Sequence, residues 1–306
     1  MTTFLLARLA QSIVVILGVL FLVFIILQLT GDPARLMLSP QATLEDIERV
    51  RRQMGFDRPL PEQFLRFLGG AVRGDFGRSL RYTDQPALAI VVERFPATVE
   101  LALATLAWSI PVALVLGLAS AVRRASVSES VAMTTALLGQ SMPSFWLGLM
   151  LILVFSVNLG LLPSSGRGTL SHLVLPALTL GGFFMARLTR LVRSGLLDVL
   201  GQDYVRTARA KGLAERIVVA RHAFKNAAIP IVTILGLDVG TLLGGAVITE
   251  TVFAWPGIGR LAIEAIAVRD FPVVQADVFF IALTFVAINL VVDVLYTWLD
   301  PRVRLG

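Results

Sequence analysis

Blocks of about twenty apolar residues recur along this chain, and each is long enough to cross a bilayer core of about 30 Å as a helix. They fall at about 9–29, 97–120, 131–157, 172–191, 228–250 and 275–298. The fourth is the weakest, because Arg187 and Arg190 enter its end. The pattern predicts an all-α integral membrane protein with six transmembrane helices and both termini on one side. Composition agrees: 56% of residues are hydrophobic and 16% charged, against about 45–50% and about 25% in soluble domains. A water-soluble enzyme and a disordered chain are both excluded. The first block exceeds the roughly 7–15 apolar residues of a signal peptide. It ends in Gln28-Leu29-Thr30-Gly31-Asp32-Pro33 and reads as an uncleaved first helix, residues 1–29.

Residues 30–95 have a different character. Arginines and acids alternate there, with prolines at 33, 40, 59, 61 and 86. Thr43-x-x-Asp46 has the form of an N-terminal helix cap. Leu44, Ile47 and Met54 follow at roughly helical spacing, and Pro61 opens a second short pattern with Phe64, Leu65 and Leu68. The segment reads as a helical extracytoplasmic insertion, followed by a five-helix core over 96–306. Short-loop charge sets the orientation. One side carries Arg8, Arg123, Arg124, the basic run from Arg187 to Lys225, Arg302 and Arg304; the other carries Arg167, Arg260 and Arg269. Both termini are therefore expected in the cytoplasm.

The chain has no cysteine, so thiolate metal sites are excluded, and only two histidines, His172 and His222, so no His-based zinc motif can be written. Its two lysines, Lys211 and Lys225, precede Gly212 and Asn226, whereas a phosphate-binding loop needs Gly-Lys-Ser/Thr. No spacing unites a nucleophile with a base, so an enzyme is not expected, and an ATP-driven process would need ATP on another subunit. The net charge of +6 records loop orientation rather than a nucleic-acid partner.

The loop from 201 to 225 is the most informative segment. Asp203 reads as a helix cap, Tyr204 to Lys211 as a short helix, and Gly212 as its left-handed end. Ala208 and Ala210 leave a small surface ringed by Arg206, Arg209 and Lys211. The plain alternative is a solvated basic linker. The string Asp203-Tyr204-Val205-Arg206-Thr207-Ala208-Arg209-Ala210-Lys211-Gly212-Leu213 resembles the cytoplasmic loop of dipeptide/oligopeptide-type permease subunits of ABC importers. Gly31-Asp32-Pro33, Gly74-Asp75-Phe76-Gly77-Arg78-Ser79 and Arg94-Phe95-Pro96-Ala97-Thr98-Val99-Glu100-Leu101 agree. So do Leu243-Gly244-Gly245-Ala246, Glu250-Thr251-Val252-Phe253-Ala254-Trp255-Pro256-Gly257-Ile258-Gly259 and Leu299-Asp300-Pro301-Arg302-Val303-Arg304. One departure stands out. Arg206, Thr207 and Ala208 occupy the Glu-Ala-Ala of the generic loop, and Lys225 stands where its closing proline would fall, so the generic glutamate contact does not carry over.

The resemblance implies that Tyr204, Arg206, Thr207, Ala208, Arg209, Ala210, Lys211 and Gly212 form a coupling helix seated in a groove of an ATPase subunit. It implies a second homologous permease subunit, two ABC ATPase subunits holding ATP and Mg, and an extracytoplasmic substrate-binding protein. This chain would bind no cofactor and sit among lipid in a prokaryotic inner (plasma) membrane. Cargo within the family includes peptides, glutathione, nickel complexes and some oligosaccharides. An ion-gradient-driven secondary transporter using Asp238 and Asp293 is the alternative, though no internal repeat of the kind such folds carry is visible.

In the fifth block Gly236, Gly240 and Gly244 share one helical face, a surface for close helix packing. Asp238, Thr241, Gly245 and Thr249 form a polar face. It reads either as a path lining that attracts a peptide amino group, or as hydrogen bonding within the bundle. Gln140, Ser141 and Ser144 flank Pro143 at an expected kink. Asn289 and Asp293 share a face of the last block, and Asp277 is expected to reach water. Glu250, Phe253, Trp255 and Pro256 belong to a turn-rich outer loop, a surface or re-entrant turn, or by resemblance part of an outer gate.

Overall fold

The computed structural model describes residues 2–29, 33–36, 38, 41–82, 85–123 and 126–299. Gly31, Asp32, Arg124 and residues 300–306 lie outside them, as do the side chains of Thr241, Leu243, Gly244 and Gly245. Among the described residues the regular structure is helical, with one isolated antiparallel bridge between Arg78 and Pro86. In chain order the helices are α1 (Thr2–Leu29), α2 (Pro33–Leu36), α3 (Leu44–Met54), α4 (Leu60–Val72), α5 (Ala87–Val122), α6 (Val127–Ser141) and α7 (Ser144–Leu151). Then come α8 (Leu170–Leu200), α9 (Asp203–Ala210), α10 (Glu215–Ile217), α11 (Phe224–Gly245), α12 (Val247–Val252), α13 (Ile258–Ala267) and α14 (Phe271–Leu299). Two π-helical stretches, Ile152–Asn158 and Val218–Ala223, continue α7 and precede α11.

Four of these helices are long and apolar enough to cross a membrane, with candidate spans Arg8–Ile26, Ala87–Val122, Leu170–Leu200 and Phe271–Val294. The pair Glu129–Ser141 and Ser144–Asn158, bent by 107°, makes a fifth if counted as one broken span. The expected kink at Pro143 is thus a full break. Proline has no amide hydrogen for the α6 ladder, and its fixed φ of −59° suits it to cap α7 instead. The second long helix begins at Ala87 rather than near 97, running through Pro96.

The chain divides into two compact units, Met1–Ala97 with Pro256–Val286, and Thr98–Trp255 with Ala287–Gly306. In the first, the Thr43 hydroxyl accepts from the Asp46 amide while the Asp46 carboxylate takes the Thr43 amide, the expected capping box. The Thr43 hydroxyl and amide hold the Asp46 carboxyl below its ordinary range. Gly55, at φ +74°, ends α3 in the left-handed region. Aromatic rings then run from Phe24 through Phe67 and Phe76 to Phe279, at centroid separations of 6.1, 6.2 and 5.1 Å. Asp270, buried just before α14, accepts from the Ser79 hydroxyl and the Arg81 amide, tying the 78–86 loop to that helix. Asp277, expected to reach water, is fully buried. It sits between Ala276 and Val278 in the apolar packing of α5, α13 and α14, which position along the helix could not reveal.

The second unit is built around α8, which packs against α6, α7 and α11. The segment that looked weakest for a membrane span is the most deeply buried of the four candidates. Its small residues admit neighbours: a Cβ on Gly181 would lie 2.5 Å from the Trp108 ring, whose Nε1 donates to the Ala177 carbonyl at 3.0 Å. Gly236 on α11 likewise faces Val292 of α14 with no room for a Cβ, as the glycine face anticipates. Gly236→Val is expected to cost about 1–3 kcal/mol through overpacking. Thermal unfolding of the purified protein in detergent checks this; an unchanged midpoint would mean the two helices part without penalty.

Candidate functional site

The loop after α8 folds as a compact knob. Gly201 and Gln202 turn the chain, and the N-cap of α9 is Gln202, in extended conformation without a side-chain cap. Asp203 is therefore the first helical residue and not the cap. Its carboxylate instead lies 3.5 Å from Arg206, while its carbonyl accepts from the Thr207 hydroxyl at 2.9 Å. Gly212 ends the turn at φ +76°, its amide donating to the Arg209 carbonyl at 2.9 Å. An L side chain at that φ would be strained, so glycine is the natural residue there. Arg209 reaches Glu215 in a bidentate pair at 2.7 and 3.1 Å, clamping the end of α9 to α10. That bonding raises the Arg209 pKa and lowers that of Glu215. Asn226 donates to the Tyr204 hydroxyl at 3.0 Å.

Val205 and Ala208 are buried in the cluster that holds Val218, Val219 and Ala223. This corrects the expectation that Ala208 belongs to the knob's outer surface. An apolar pair at i, i+3 in an otherwise charged helix turns inward. What α9 presents to its surroundings is Arg206, Thr207, Ala210 and Lys211, with Tyr204 and Arg209 at the sides.

Deeper in the same unit, α8 carries Arg187, Arg190 and Arg193, each of which reaches a neighbouring helix. Arg187 Nη1 lies 2.7 Å from Asp238 Oδ1 on α11. Arg190 Nη1 donates to Gln140 Oε1 on α6 at 2.5 Å. Arg193 pairs with Glu129, also on α6. A cavity of about 470 Å³ opens beside these contacts, lined among others by Gln140, Pro143, Ser144, Phe183, Arg187 and Asp238. A second, of about 400 Å³, shares Gln140 and Arg187 and adds Arg190 and Arg193. The structure thus brings together Asp238, Gln140 and Ser144 of the expected path. It does not bring Thr249 to them. The expected polar stripe assumed one straight helix, but a turn at Ala246 separates α11 from α12, and Thr249 is buried on the latter.

The segment expected as an outer loop is packed inside. Phe253 and Trp255 are fully buried, which overturns a surface turn. Buried Glu250 accepts from the Thr98 hydroxyl at 2.7 Å, and its carbonyl accepts from the Trp255 amide at 2.8 Å. The turn requires Ala254 at φ +49°. Arg167 lies 5.9 Å from the Trp255 ring centroid and pairs with Glu100 at 2.5 Å. The Gly166 amide donates to the Phe253 carbonyl at 2.9 Å. Pro256 is half-buried.

The family described as the binding-protein-dependent transport system inner membrane component matches residues 113–305. Its companion, the N-terminal membrane component, matches residues 1–102. This chain belongs to that family. It is the permease subunit of an ABC importer, a multi-pass protein of a bacterial inner membrane. It is 43% identical over 305 residues to the glutathione transport system permease protein GsiC of Escherichia coli (strain K12), covering 99% of each chain. The same figures hold for the proteins of that name from Shigella flexneri serotype 5b (strain 8401) and Salmonella choleraesuis (strain SC-B67). Among solved structures, the inward-facing MetNI methionine ABC transporter is similar in fold. Its TM-score is 0.51 at 18% identity, covering 69% of this chain and 94% of that one.

Three features of the permease escaped sequence reasoning. Val205 is the inner anchor of α9, and its spacing to Ala208 was the available signal. The arginine contacts of α8 left a signal too, since three arginines at i, i+3 and i+6 within an apolar block require partners. The Thr98–Glu250 bond joins residues far apart in sequence, and nothing in either segment announces it.

Proposed function

We propose that this permease supplies half of the translocation path for a small peptide-like solute. A second homologous permease would supply the other half, and two ATPase subunits holding ATP and Mg would drive the cycle. An extracytoplasmic binding protein would deliver the cargo. Six spans, cytoplasmic termini and an extracytoplasmic 30–95 segment belong to the same reading. The observation that carries it is the α9 knob. Its inner residues are fixed to the permease's own core, and its outer face is small and basic, which suits a rigid part that another subunit grips. The cavity beside Gln140, Ser144 and Asp238 supports a path at that level. The three relatives whose names specify glutathione support a cargo of that size and chemistry.

Two measurements test the reading. In proteoliposomes containing the permease with its partner subunits and binding protein, uptake of labelled glutathione or a dipeptide is expected only with ATP at the ATPase face. Uptake without ATP that collapses with an ionophore would favour an ion-gradient-driven carrier. The absence of cysteine makes single introduced cysteines clean topology probes. In intact spheroplasts an impermeant maleimide is expected to label Asp57→Cys and not Thr207→Cys. The opposite pattern would invert the orientation.

A further inference from the structure

From the cavities around α8 we infer that Arg190 forms an anion subsite, one that takes the carboxylate of a peptide-like acid as it passes. The inference rests on the proposal that this cavity borders the translocation path. Among the described residues, four charged side chains line the two cavities: Arg187, Asp238, Arg190 and Arg193. Arg187 is matched by Asp238, and Arg193 by Glu129. Arg190 is bonded to an uncharged amide, the Oε1 of Gln140. One positive charge is thus left over where the cavities meet. At 1.5 Å per residue, Arg190 lies roughly 30 Å along α8 from its start at Leu170, about the thickness of a bilayer core, and its side chain is exposed. A guanidinium with a neutral partner in such surroundings attracts a carboxylate, which it can hold through a planar fork of two N–H donors. Gln140 fixes one face of that fork and leaves the others to the cavity.

The contribution of Asp238 is therefore different from a direct attraction for cationic cargo. Its charge is spent on Arg187, so the pair adds no net charge to the cavity. Selection by sign falls to Arg190.

Ser144 lines the cavity, and the chain has no cysteine, so Ser144→Cys supplies a reporter thiol. Its modification rates by 2-sulfonatoethyl and by 2-trimethylammonioethyl methanethiosulfonate are measured in the assembled complex and normalised to a small free thiol. The anionic reagent is expected to be favoured. A unit charge at about 8 Å and an effective dielectric of about 40 changes each reagent's local concentration about fivefold, in opposite directions. The anionic-to-cationic ratio should fall about tenfold or more in Arg190→Gln. It should be kept in Arg190→Lys and should fall likewise in Gln140→Glu, which gives Arg190 a carboxylate partner while keeping the arginine. Uptake after modification is read alongside. If modification blocks uptake but the ratio ignores both Arg190→Gln and Gln140→Glu, the subsite is overturned and the path stands. If modification leaves uptake intact, the cavity is off the path and the cargo subsite falls with it.

Discussion

Arg187→Ala is expected to destabilise the permease by about 2 kcal/mol, below the roughly 3–5 kcal/mol lost when one partner of a fully buried ion pair is removed, because solvent screens the half-exposed arginine. The Asp238 side chain is 5% exposed and that of Arg187 48% exposed. Most of the penalty therefore lies in leaving the aspartate without its nearest positive charge, while water relieves part of the arginine's own cost. Asp238→Asn keeps the shape and removes the charge, and should cost less than Arg187→Ala. The double variant Arg187→Met with Asp238→Leu should recover most of the loss, because two apolar side chains need no partner. The check is a double-mutant cycle on the thermal midpoint of the detergent-purified complex. Equal losses in the Arg187→Ala and double variants would show that the pair is not what stabilises this region. The same geometry sets the expectation for transport: Asp238→Asn leaves Arg187 unmatched at the cavity and should disfavour cationic cargo relative to neutral cargo.

Thr207→Trp is expected to reduce uptake tenfold or more while leaving the permease folded. Thr207 lies on the exposed face of α9, and a large ring there meets nothing in this subunit; it meets only what grips the knob. Ala208→Phe should reduce uptake for another reason. Ala208 is 5% exposed, so the added ring must displace Val205 or the 218–223 segment, and the thermal midpoint should fall with the activity. Co-purification of the ATPase subunits and the thermal midpoint, measured together, separate the two. Thr207→Trp should lose ATPase association or ATP-coupled uptake at an unchanged midpoint. Full uptake in Thr207→Trp would remove the exposed face of α9 from any contact that matters.

What the sequence made legible follows from where the physics is local. Apolar runs announce bilayer-length helices whatever the neighbours do, and Thr43-x-x-Asp46 and Gly212 declare caps and turns within a few residues. The hidden parts depend on partners distant along the chain. The fourth apolar block looked weak because arginine is costly in hydrocarbon, yet Arg187, Arg190 and Arg193 each have a partner on α6 or α11. Ala208 looked like surface because its neighbours are charged; only the 218–223 segment folding back shows it to be floor. The polar stripe of the fifth block assumed unbroken periodicity, and the turn at Ala246 ends that. Trp255 sits among prolines and glycines, the vocabulary of exposed loops, but its fully buried ring anchors the turn.

The long α8 has a mechanical consequence. Its inner half, from Arg187 to Leu200, contains no proline and passes through Gly201 and Gln202 directly into α9. Its side chains reach about 5–6 Å from the axis, so a 20° roll would carry the guanidinium tips by about 2 Å. That displacement exceeds what a hydrogen bond tolerates, and it acts on the contacts to Asp238, Gln140 and Glu129 in a single stroke. A shaft fastened by three latches that release together holds its angle until the torque exceeds what all three bear, and then turns at once. Torque applied at the knob would therefore be transmitted as a click.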